Sequence, residues 1–165
     1  MAALTAGTKA PDISLAAVDG TTFSLQDALK KGPVVAAFFK VSCPVCQYAF
    51  PYFERVYKAH GGHNITFVAI SQDDKRNTAA FLKQYGVTFP TLLDDPNGYP
   101  VSTAYGLTNV PTWFLIGQDG EIEISSVGWV KKDVEDLNRK LAEVQKAPLP
   151  QLFQPREEVR DFRAG

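Results

Sequence analysis

The chain contains two cysteines, Cys43 and Cys46, with Pro44 and Val45 between them. An ionised thiol is a strong nucleophile, and two thiols one helical turn apart can pass between dithiol and disulfide. The flanking residues decide whether such a pair is reactive. Val34-Val35-Ala36-Ala37-Phe38-Phe39 is an unbroken apolar run and reads as a fully buried strand. Phe50, Phe53, Val56 and Tyr57 recur at helical spacing after the pair. Cys43 therefore stands where a buried strand ends and a helix begins. Free N–H groups and partial positive charge at a helix start favour an anion. A thiol there can fall from a pKa of about 8.5 into roughly the 3.5–7.5 range. The expectation is an exposed, ionised Cys43. Cys46, one turn deeper, is expected to be shielded and placed to attack a sulfur attached to Cys43.

Neighbouring residues offer two further chemistries. Lys40 is the only cation close before Cys43 in sequence and is a candidate for stabilising its thiolate, with Ser42 and Pro44 as flanking support. His60 and His63 follow the cysteines in an order that resembles a zinc finger. Their spacing is one residue too short for that pattern, and the chain is large enough to fold without metal. No metal or organic cofactor is assigned, and both histidines read as solvated residues at a helix end.

The elements that position the pair follow from composition and pattern. A chain of 165 residues suits one domain with a sizeable core. A net charge of −1 and the lack of a basic run argue against a nucleic-acid partner. No apolar stretch is long enough to span a bilayer. Residues 1–7 lack the positive start and apolar run of a signal peptide, so a cytoplasmic location is expected. Asp19-Gly20 marks a hairpin between Ile13–Ala17 and Thr21–Leu25, and Ser24 is placed to cap a helical turn ending at Leu29. The cysteine helix is expected to reach about Ala59, with Pro51 inside it. A second buried strand covers Ile65–Ser71, a helix Asn77–Tyr85, and a short strand Thr91–Leu93. A short helix near Val101–Tyr105, strands at Thr112–Ile116 and Glu121–Val127, and an amphipathic helix through Val134, Leu137, Leu141 and Val144 complete the pattern. Alternating strands and helices predict an α/β fold with a central mixed sheet covered on both faces. From Pro148 the composition turns proline-rich and charged, so residues 1–147 are read as the domain and 148–165 as a tail outside it, with Leu152, Phe153, Val159 and Phe162 as candidates for docking it.

The chain resembles thioredoxin-fold proteins of the TlpA-like branch of the peroxiredoxin/thioredoxin superfamily. The residues that carry the resemblance are Phe38-Phe39, Cys43-Pro44-Val45-Cys46, Pro51, Tyr105-Gly106, Val110-Pro111-Thr112 and Gln118-Asp119-Gly120. The resemblance implies a thioredoxin-like sheet with an N-terminal hairpin and a strand–helix insertion. It implies a cis bond at Pro111 beside the cysteines, and a partner strand lying against Val110 and Pro111. It implies a thiol–disulfide oxidoreductase that acts on a disulfide in a protein or small molecule and is reset by an external thiol. The chain departs from the family pattern at Ser42, Ala37 and Ala49, which stand where relatives place a tryptophan, an aspartate and a glutamate. Glu54 is the nearest acid along the helix and lies about 12 Å beyond Cys46, too far for direct proton transfer.

Two other readings use the same fold. A thiol peroxidase would place a hydroxyl residue at position 40 and a proline at position 36, where this chain has Lys40 and Ala36. A non-enzymatic redox sensor or binding module needs only the fold and the pair.

Overall fold

The computed structural model describes residues 2–62 and 64–165. Its central sheet has five strands in the order β5-β4-β3-β6-β7. Strand β3 (Val34–Phe39) lies in the middle, parallel to β4 (Thr66–Ser71) and antiparallel to β6 (Thr112–Ile116). Strand β5 (Thr91–Leu93) continues the parallel side, and β7 (Ile122–Val127) makes the antiparallel edge. All six residues of β3 are buried, which explains why its sequence does not alternate.

The two faces of β3 still separate at period two. Val35, Ala37 and Phe39 join a core built from α2 (Pro44–His60), α3 (Lys75–Tyr85) and α5 (Lys131–Gln145). Val34, Ala36 and Phe38 join a second core formed with Ile13, Leu25, Leu29 and Tyr105. That side is closed by the hairpin β1 (Ser14–Ala16) and β2 (Thr22–Ser24), by α1 (Leu25–Leu29) and by α4 (Pro100–Ala104). The Ser24 hydroxyl accepts the Asp27 N–H at 3.3 Å, as its position predicts. The mixed sheet flanked by helices agrees with the α/β expectation.

Two places differ from the sequence reading. Helix α3 starts at Lys75, two residues earlier than expected, because the Asp74 carboxylate accepts the Asn77 N–H at 2.7 Å and caps it. His60 is buried rather than solvated. Its ring nitrogens meet Asn138 Oδ1 at 2.6 Å and Gln145 Nε2 at 2.8 Å on α5. His63 lies outside the described residues.

Segment 148–165 lies packed along the domain, with Leu152, Phe153 and Val159 on the core and Phe162 exposed. Leu152 is buried, and Arg55 donates to the Leu152 carbonyl and to both carboxylate oxygens of Glu157. Asn138 donates to the Pro150 carbonyl at 2.8 Å. Two short strands, β8 (Trp129–Val130) and β9 (Phe162–Arg163), pair antiparallel and fix the end of the segment.

Candidate active site

Strand β3 delivers the chain to Cys43, which is the N-cap of α2 with φ −81° and ψ 115°. Pro44 takes the first helical position, where an N–H would have no intrahelical partner. The Cys46 N–H points back to Cys43 Sγ at 3.2 Å. Cys43 is half-buried between exposed Ser42 and Pro44, and Cys46 is fully buried. Both thiols are free.

The environment separates the two thiols. Cys43 is lowered to about 6, first by the hydrogen bond from the Cys46 side chain, against opposition from partial burial. The backbone N–H groups of Cys46 and Val45 and the charge of Arg163 lower it further. Cys46 moves strongly the other way, first through burial and then through its hydrogen bond to Cys43. Near neutral pH the pair therefore holds one thiolate, on the more exposed sulfur.

The loop before β6 lies across the pair. The Val110–Pro111 bond is cis, in agreement with the sequence expectation. Cys43 Sγ lies 3.4 Å from the Val110 carbonyl oxygen. The loop is held by Thr112 Oγ1 donating to the Asn109 carbonyl at 2.8 Å and by the Gly128 N–H donating to the Pro111 carbonyl at 2.7 Å. Thus Cys43, Cys46, Val110 and Pro111, far apart in sequence, meet at one end of the sheet.

Lys40 is exposed, and its carbonyl accepts the Cys43 N–H at 3.3 Å. The cation whose charge bears on Cys43 is Arg163. Its guanidinium carbon sits 5.1 Å from the centre of the Tyr48 ring on α2. Sequence reasoning missed Arg163, because nothing in a run of mixed charges marks one of them. It also missed Asp73, which accepts the Val41 N–H at 2.8 Å and whose charge raises Cys46. The Asp73 signal was available: β3 and β4 are parallel, so residues just after β4 lie beside those just after β3. Gln47 adds a bond to the Val41 carbonyl at 2.9 Å and helps fix the same turn. Glu54 faces elsewhere, its Oε1 accepting the Thr88 N–H at 2.8 Å. Among the described residues no group of three or more His, Cys, Asp or Glu side chains is arranged to hold a metal.

A dithiol at the end of a central strand, under a cis-proline loop and split into one thiolate and one buried thiol, defines a thioredoxin-like redox centre. The chain belongs to the AhpC/TSA family, whose model matches residues 6–125. It is similar to the thiol-disulfide oxidoreductase ResA of Geobacillus thermodenitrificans, with 29% identity over 87% of this chain and 80% of that protein. ResA of Bacillus subtilis is 32% identical over 70% of this chain and 64% of its own length. Among solved structures, a thiol:disulfide interchange protein of the thioredoxin family from Chlorobium tepidum superposes with TM-score 0.68. That pair is 26% identical and covers 87% of this chain and 98% of the other. The thioredoxin domain of a thiol-disulfide oxidoreductase from Bacteroides vulgatus shares the fold, with TM-score 0.73 at 22% identity over 83% of this chain and 97% of that one. The enzyme class is thiol–disulfide oxidoreductase, with Cys43 and Cys46 as its cysteine pair.

Proposed function

We propose that the protein reduces or exchanges disulfides in partner proteins and small molecules, with Cys43 as attacking thiol and Cys46 as resolving thiol. The Cys43 thiolate attacks one sulfur of the partner disulfide. A mixed disulfide forms and the other partner sulfur leaves as a thiolate. Cys46 then attacks Cys43 Sγ, giving its proton to the expelled thiolate or to water. The Cys43–Cys46 disulfide forms and the second partner sulfur is released. Two electrons have passed from the dithiol to the partner, and an external thiol returns them. The partner's backbone lies extended against Val110, beside Pro111.

The observation that carries this reading is the split between the thiols: a half-buried Cys43 held near a pKa of about 6, and a fully buried Cys46 whose N–H donates to Cys43 Sγ at 3.2 Å. Turnover of insulin disulfides with an external thiol tests it, with hydrogen peroxide as a parallel substrate. The reading predicts insulin reduction that needs both cysteines. Peroxide consumption that needs Cys43 alone, without insulin reduction, would replace it with the peroxidase.

A further inference from the structure

Segment Arg160–Gly165 does more than pack on the surface. It runs from Tyr48 across Trp129 to the Val110 loop. The Arg160 N–H donates to Tyr48 Oη at 2.9 Å, and Trp129 Nε1 donates to the Arg160 carbonyl at 2.6 Å. The Lys131 N–H donates to the Asp161 carbonyl at 2.9 Å. Strand β9 pairs Arg163 with Trp129 and Phe162 with Val130. The chain then reaches the site itself. Asn109 Nδ2 donates to the Gly165 carbonyl at 3.2 Å. Gly165 lies so close over Val110 that a Cβ built on it would overlap the Val110 carbonyl oxygen. That same oxygen faces Cys43 Sγ.

We propose that Arg160–Gly165 is the specificity-determining strap of this site: it occupies the Val110 backbone edge that a protein partner's strand would use. The inference rests on the docking edge assigned to Val110 above. Cys43 keeps exposed neighbours on its other side, Ser42 and Pro44, so a small disulfide reaches the sulfur with the strap in place. A partner that approaches as an extended chain must lift the strap first. Lifting it also carries Arg163 away from Cys43.

The strap is held by a few bonds at its exposed end. Its two-residue strand and the exposed Phe162 side chain make it a local opening unit rather than part of the core. A closed strap scales the apparent reactivity toward a protein by the fraction of molecules in which it is open.

The test uses the full chain and Arg160→Pro, which removes the backbone N–H that ties the strap to Tyr48 Oη, at an exposed residue outside the core. Rates are measured with insulin and with glutathione disulfide. The proposal expects the variant to raise kcat/KM for insulin about tenfold and to leave glutathione disulfide within about twofold of the parent. A parent and variant equal on insulin, both active on glutathione disulfide, would overturn the strap and leave the dithiol reading standing. A parent inert to both substrates would overturn the dithiol reading and the strap with it. Should Arg160→Pro not fold, Cys46→Ser is joined as a mixed disulfide to a short cysteine peptide and followed by hydrogen exchange. The amides of β8 and β9 are expected to exchange at least about tenfold faster in the adduct than in free Cys46→Ser. Unchanged protection would overturn the proposal.

Discussion

At the scale of residues, the function depends on two identical side chains made unequal by depth. Cys43 is held near a pKa of about 6 by the Cys46 thiol, the helix N–H groups and Arg163. Alkylation of Cys43 by iodoacetamide should therefore rise with pH, with a midpoint near 6, and level off around neutrality. A midpoint in the ordinary cysteine range near 8.5 would contradict it. The same shift links to stability. The folded pKa lies below the unfolded one, so the thiolate stabilises the reduced protein fully above about 8.5 and loses this as pH falls through about 6. Reduced parent protein should gain melting temperature from pH 5.5 to pH 8 relative to Cys43→Ser. An equal response in both proteins would mean that Cys43 is not the group titrating.

The source of the acidity is also testable at this scale. Arg163→Gln should raise the Cys43 pKa, and high salt should shrink the difference, because the charge acts at a partly solvated site. Lys40→Ala should move it less, since Lys40 is exposed and touches the site through its carbonyl. Thiolate absorbance titrated in the three proteins decides between them. The pair and its helix-start position were legible from sequence because strand, break and helix follow one another within a few residues. Arg163 was not legible, because its closeness to Cys43 arises from a tertiary path across Trp129.

At the scale of elements, short motifs hold the site loops. Asp94 is buried, with its Oδ2 accepting the Ser102 N–H at 2.8 Å and the Ser102 hydroxyl at 2.7 Å. Its Oδ1 also accepts the Val101 N–H at 3.3 Å, so this one carboxylate anchors α4. Asp94→Ala leaves these buried donors unpaired and should cost about 2–4 kcal/mol in urea unfolding. Asp74→Ala removes only an exposed cap on α3 and should cost about 1 kcal/mol. Equal losses would show that burial of Asp94 adds nothing. Asp94's burial comes from α4 folding onto it, which no local pattern around Asp94 records. Periodicity located the long strands and helices because each has a face to bury. The β8–β9 pair carries no such signal: two residues per strand are too few for a pattern, and the partners are more than thirty residues apart.

At the scale of the whole molecule, the sheet brings residue 43 and residue 110 together, and segment 148–165 wraps back to the same end. Composition separated that segment at Pro148, where prolines and mixed charges replace apolar periodicity. Packing joins it to the domain through Leu152, the Arg55–Glu157 pair and Trp129. The core was legible because apolar spacing records what is buried. Of the wrap, the apolar anchors Leu152, Phe153 and Val159 were legible, but its path was not, because its other contacts are backbone carbonyls and single side chains. The proposed mechanism depends on one division of roles, in which Cys43 attacks and Cys46 resolves. Mass spectrometry of each single serine variant, mixed with a protein disulfide, tests this most directly. Cys46→Ser should accumulate a mixed disulfide through Cys43 and stall, and Cys43→Ser should form none. A Cys46→Ser protein that forms no adduct yet consumes peroxide at the parent rate would contradict the claim.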